Sequence, residues 1–170
     1  MTADVALAAA VDSTDHTRGG GGAQLVVYGD FECPYTATAV QSIGALLKSG
    51  AEFQFVFRHF PLRSIHPHAE AAAVTSEAAA RQGRFWEMHD VLFRNQRHLE
   101  SGDLRRYAER LGLDLARFES DLVDPAAAAR VERDVESGER SGVDGTPSLF
   151  IDGIRYRGPR DQVGLGEALR

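Results

Sequence analysis

The chain has one cysteine, Cys33, within Gly29-Asp30-Phe31-Glu32-Cys33-Pro34-Tyr35-Thr36. The preceding run Leu25-Val26-Val27-Tyr28 is apolar and β-favouring, as in a buried strand. A helical pattern follows through Leu47, closed by Gly50. Pro34 stands in its first turn, where the missing N–H would have no partner anyway. Cys33 therefore sits where a strand hands over to a helix, facing unpaired N–H groups and the positive end of the helix dipole. Such a position can lower a thiol pKa from ~8.5 toward ~3.5–7.5, and the thiolate is the nucleophile of disulfide exchange. Taken alone, a single cysteine is as readily a small buried hydrophobe. The two readings are separated only by the rest of the chain.

The other residues with chemical potential are less suggestive. Of six histidines, His66 and His68 straddle Pro67, and no HExxH or Cys-His spacing occurs, so no metal site is expected. His66 and His68 are expected to open a helix and His89 to pack near Trp86. Trp86, Met88 and Phe93 read as core. Gly19 to Gly22 lack the following Lys-Ser/Thr of a phosphate loop and read as a plain loop.

These residues need a frame. Phe53 to Phe57 alternates as a second strand, which Pro61 ends. From His66 to about Gly142 the pattern is helical. Ala69, Ala72, Ala73, Ala79 and Ala80 give a small-residue face that admits a close neighbour, and Gly83 is a stop. Asp103, Asp114 and Asp124 precede helical segments as N-caps, with Pro125 at a first helical position. Val131 and Val135 give the last of these helices its buried side. Ser148 to Ile151 and Ile154 to Tyr156 read as strands joined by the Asp152-Gly153 turn, and a short helix from about Arg160 to Leu169 ends the chain. The order β-α-β, a helical insertion over 64–142, then β-β-α implies one α/β domain over 1–170 with a mixed sheet. Residues 1–14 carry little pattern and are expected to be a disordered arm, a short helix or an edge strand.

Composition excludes some classes. The length of 170 residues suits one domain, and the net charge of −6, from 19 basic and 25 acidic residues, argues against nucleic acid as the partner. No apolar run approaches the ~18 residues of a membrane span. Val5 to Val11 is flanked by Asp4 and Asp12 with no basic residue ahead of it, unlike a secretory signal. The expectation is a cytoplasmic protein, and one cysteine agrees, since it can form no internal disulfide. Arginine- and alanine-rich usage fits a bacterial source.

The segment Phe31 to Thr36 resembles the active-site turn of thioredoxin-fold oxidoreductases, whose usual form is Cys-x-x-Cys. Gly145-Thr146-Pro147 resembles the loop of that fold in which a cis-proline packs beside the reactive cysteine. Arg58-His59-Phe60-Pro61-Leu62, His66-Pro67-His68-Ala69, Phe85-Trp86-Glu87-Met88-His89-Asp90 and the Asp15-His16 pair are similar to the DsbA-like family, over residues 15 to 158. The resemblance implies a thioredoxin fold with a helical insertion, Cys33 as nucleophile, and a substrate groove formed by Pro34, Tyr35, Thr146 and a cis Pro147. It implies no tightly bound cofactor.

One departure matters. Thr36 stands where the family has its second cysteine, so Cys33 has no internal partner, and its remaining chemistry is monothiol. The implied partners are a small thiol or disulfide, glutathione among them, or a protein cysteine; oligomeric state stays open. The Thr36 hydroxyl has two available roles, donating to the thiolate or bonding to backbone within the first helical turn. Two other functions remain: a glutathione-dependent isomerase or transferase, in which the bound cofactor supplies the thiol, and a redox-inactive module that binds a peptide strand.

Overall fold

A computed structural model describes residues 4–170 of the chain. Its centre is a five-stranded sheet in the order β1-β3-β2-β4-β5. The strands are β1 (His16–Gly19), β2 (Ala23–Gly29), β3 (Phe53–His59), β4 (Ser148–Ile151) and β5 (Ile154–Tyr156). β2 and β3 are parallel, while β1–β3, β2–β4 and β4–β5 are antiparallel. Parallel neighbours need a crossover connection, and α1 (Pro34–Lys48) supplies it. Five helices separate β3 from β4: α2 (Ala69–Ala80), α3 (Phe85–Arg94), α4 (Ser101–Arg110), α5 (Leu115–Leu122) and α6 (Pro125–Arg140). α7 (Gln162–Ala168) follows β5 and packs on α1.

The sheet is covered on both faces. Alternation in β3 sends Phe55 and Phe57 to one side, where they meet Phe31 and the rings of Trp86, His89 and Phe93. Tyr28 and Arg58 take the other side. The Tyr28 hydroxyl lies 2.8 Å from Ser137 Oγ of α6 and accepts from Arg58 at 2.9 Å. Arg58 also grips the buried Asp15 carboxylate through two bonds of 2.9 Å. A buried charge pair is tolerable only with such full pairing.

The structure settles one open alternative, adds a strand and corrects one cap. Of the three alternatives for residues 4–14 the edge strand comes nearest: Ala6 bridges Ile154 of β5, and the carbonyls of Ala9 and Ala10 accept from Arg58. Residues 1–3 of that proposed arm lie outside the described residues. His16 to Gly19, without apolar residues, forms β1 because β3 offers it an edge. Asp103 is not an N-cap. It occupies the third position of α4 and accepts from the Glu100 N–H at 3.1 Å, so Glu100 caps the helix. Asp114 and Asp124 do cap α5 and α6, each accepting a backbone N–H.

Candidate active site

Cys33 is the N-cap residue of α1, at the carboxyl end of β2. That end of a parallel pair is where open α/β sheets present their ligand sites. Pro34 occupies the first helical position. Gly29, the last residue of β2, is required by close approach: a Cβ there would lie 2.6 Å from Phe57 Cε2 and 2.8 Å from Thr36 Cγ2.

The turn is fastened from below by polar side chains. The buried carboxylate of Asp30 accepts from the Glu32 N–H at 2.7 Å, the Leu62 N–H at 2.8 Å and His66 Nδ1 at 2.8 Å. Glu32 accepts from the His68 N–H at 2.8 Å. Gln96, beyond α3, donates to the carbonyls of Phe31 and Cys33 at 2.8 and 2.9 Å. The loop after β3 and the start of the helical insertion therefore hold the cysteine turn together. The sequence placed Asp30 and Glu32 in the cysteine motif without a role for either, and left Gln96 with no place at all. An acidic residue three positions before the cysteine was a legible signal; Gln96 offered none.

The thiol itself faces the loop before β4. Its Sγ donates to the Thr146 carbonyl oxygen at 3.5 Å, and the Thr146–Pro147 peptide bond is cis. The structure thus joins Cys33 and Thr146 across 113 residues. Pro147 is buried beside them, while Pro34 and Tyr35 are exposed, Tyr35 at 72%. Cys33 is 3% exposed, so a disulfide must approach its sulfur past these residues.

Thr36 takes the backbone role. Fully buried, its hydroxyl accepts from the Asp30 N–H at 3.5 Å, and it makes no hydrogen bond to Cys33 Sγ. The thiol-stabilising role is replaced by a strand-end contact, because the first turn of α1 directs Thr36 toward Gly29 and Asp30. His66 also departs from expectation. It lies in the loop before α2, bonded to Asp30, since a residue before proline is pushed out of helical backbone.

Among the described residues, one group has metal-ligand character: His16, His59 and Glu77. Its atoms already engage each other, with both imidazole Nε2 atoms on Glu77 Oε2 at 2.6 and 2.8 Å. Burial would raise the Glu77 carboxyl, but these hydrogen bonds outweigh it and hold the group well below the usual carboxylate range. The cluster ties β1 and β3 to α2.

A family model described as thioredoxin matches residues 12–170. A protein of Salinispora tropica named Na(+)/H(+) antiporter NhaA 3 is 46% identical over 157 residues, covering 91% of this chain and 24% of that protein. One of Herminiimonas arsenicoxydans named Na(+)/H(+) antiporter NhaA is 47% identical over 150 residues, 86% of this chain and 24% of that protein. The chain spans about a quarter of the length of these curated relatives. Among solved structures, a thioredoxin-like oxidoreductase from Silicibacter pomeroyi superposes with a TM-score of 0.78 at 23% identity, over 92% of this chain and 91% of that one. BdbD from Bacillus subtilis gives 0.79 at 19% identity, over 91% and 90%. Alpha-DsbA1 from Wolbachia pipientis gives 0.76 at 16%, over 94% and 92%. The chain belongs to the thioredoxin family and has the DsbA-like form of its fold, with a single cysteine at the head of α1.

Proposed function

We propose that this protein is a monothiol thiol–disulfide oxidoreductase. The observation that carries the reading is the placement of the single cysteine at the start of α1 with its sulfur on the Thr146 carbonyl. In the first step the Cys33 thiolate attacks one sulfur of a disulfide, forming a Cys33 mixed disulfide and expelling the other half as a thiolate. A second small thiolate then attacks that mixed disulfide at the substrate sulfur. Cys33 leaves as thiolate, so electrons balance as one disulfide consumed and one formed. With Thr36 in place of a second cysteine, release must come from outside the chain.

The exposed Pro34 and Tyr35 supply a surface for the substrate flanking the sulfur. Glutathione, another small thiol or a protein cysteine meets this requirement, and no tightly bound cofactor enters the cycle. Because the cycle draws on a pool of small thiols, we place it in the cytoplasm. Among the described residues no helix is long and apolar enough to cross a membrane. The reading rests on the thiol site and takes no ion transport from the antiporter relatives, of which the chain spans a quarter.

The test is intact-mass analysis after incubation with glutathione disulfide, followed by reduced glutathione. One glutathione adduct per chain, removed by the reduced thiol and lost in Cys33→Ser, is the expected result. Turnover of a glutathione mixed disulfide should vanish in the same variant. Equal turnover in Cys33→Ser would transfer the function to the glutathione-dependent transferase reading. No adduct, with peptide binding unaffected by the substitution, would leave a binding module.

A further inference from the structure

Three elements bring donor atoms to one point that does not include the thiol. The edge strand β1 supplies His16, β3 supplies His59 and α2 supplies Glu77. One ligand atom from each lies within 4.8 Å of the other two. Both imidazoles turn Nε2 to the same oxygen, Glu77 Oε2, at 2.6 and 2.8 Å.

The protons of this cluster do not satisfy it. Two hydrogen bonds into Oε2 require a proton on each Nε2. The His59 ring is fully buried beside Phe31, Phe57 and Phe85, and its Nδ1 has no hydrogen-bond partner. A neutral ring protonated on Nε2 therefore leaves a bare lone pair at Nδ1 in an aromatic enclosure, a buried acceptor without a donor. With the proton on Nδ1 instead, an N–H among aromatic rings is a weakly attractive arrangement. Nε2 then turns its lone pair on the Glu77 carboxylate at 2.8 Å, and two electron-rich atoms at that distance need a cation between them.

The surrounding charges leave room for one. The Asp15 carboxylate is answered by Arg58 at 2.9 Å and that of Asp134 by Arg130 at 2.6 Å. Arg130 Nε stands 3.9 Å from Glu77 Oε1, beyond a hydrogen bond. Glu77 thus has no guanidinium of its own, and a buried carboxylate requires full pairing.

We propose that His16, His59 and Glu77 bind a divalent transition-metal ion of the zinc type, through both Nε2 atoms and the Glu77 carboxylate. Two imidazoles and a carboxylate suit Zn2+, with water as the fourth ligand. Ligand atoms around Zn2+ stand about 3.3 Å apart, so the cluster opens by about half an ångström to admit it. His16 gives that room, since it lies on a short edge strand. Its side chain keeps 15% exposure and that of Glu77 8%, so the ion and its water enter past His16. The ion displaces the Nε2 protons to solvent and clamps β1 and β3 to the helical insertion, outside the thiol cycle.

Co2+ is the spectroscopic probe and Zn2+ the diamagnetic one, each added to protein stripped with a chelator. Co2+ should saturate at one ion per chain with visible d–d absorption, in the native protein and equally in Cys33→Ser and in His98→Gln, which removes an exposed histidine. His16→Gln keeps an N–H for Glu77 but removes a ring ligand, and Glu77→Gln removes the charge. Each should weaken binding by at least about a hundredfold, more than loss of an outer-shell contact does. His16→Gln keeps the test decisive if Glu77→Gln folds poorly. Zn2+ at about 100 times its dissociation constant should raise the thermal midpoint of the native protein by about 5–10 °C, and leave that of His16→Gln unmoved. In protein labelled with 15N-histidine, Zn2+ should move the Nε2 resonances of His16 and His59. Absent d–d absorption, undiminished binding in His16→Gln, or unmoved His16 and His59 resonances would overturn the proposal.

Discussion

Asp30 and His66 are joined by a 2.8 Å hydrogen bond at the turn that carries Cys33. One fully buried carboxylate thereby fastens the loop after β3 to the end of β2. Its acceptors are saturated by N–H groups, so an amide cannot substitute for it: one half of an asparagine would present donors to donors. Asp30→Asn should cost about 2–3 kcal/mol, lowering the thermal midpoint by roughly 5–10 °C for a domain of this size. Circular dichroism on heating measures it, and an unchanged midpoint would contradict the role of Asp30.

Gly29 is a position where the turn leaves no room. Its Cβ would fall within 2.6 Å of the Phe57 ring and 2.8 Å of Thr36, both in the buried interior. Gly29→Ala should destabilise by about 1–3 kcal/mol through overpacking. Because Thr36 is one of the two neighbours, the variant should also change the rate at which Cys33 reacts with iodoacetamide in the folded protein. A variant as stable as the parent, with the same alkylation rate, would show that the contact relaxes freely.

The missing thiol can be restored. Cys33 caps α1 and Thr36 lies in its first turn. Thr36→Cys, oxidised under mild conditions, should lose both free thiols and gain an internal disulfide detectable by mass. It should also turn over dithiol substrates without added glutathione. Two titratable thiols after oxidation would mean that the two side chains cannot approach one another.

His89 predicts a pH dependence. Its pKa is about 4 in the fold, through burial, against 6.5 for a free imidazole, so between those values the unfolded chain binds the additional proton. Stability from this group is complete above about pH 6.5 and is lost as pH falls toward 4, by about 3 kcal/mol over the window. Asp90 adds nothing there. Burial raises its carboxyl, but hydrogen bonds from His89 and Arg18 bring it down to about 2, so it stays charged. The His89 ring resonances should show no titration from about pH 8 to 5. An ordinary imidazole titration would disprove the burial argument.

The sequence alone determined whatever depends on local pattern. The apolar run Leu25 to Tyr28, the alternation of Phe53 to Phe57 and the Asp152-Gly153 turn each state their strand, because side-chain period and turn chemistry are local properties. Pro34 and Gly50 mark the ends of α1 for the same reason, and the cysteine, the Gly145-Thr146-Pro147 loop and the motifs between them carried the family. Tertiary structure decided what depends on partners distant in the chain. β1 exists because β3 offers an edge, since His-Thr-Arg-Gly has no apolar signal; Trp86 adds a 2.8 Å bond to the Thr17 carbonyl. His66 turned from an expected helix start to Asp30, 36 residues away. Thr36 had two locally reasonable roles, and only the packing of α1 against β2 chose the Asp30 N–H over the sulfur. The convergence of His16, His59 and Glu77 arises from how a helix spaces itself over a sheet, which no window of sequence records.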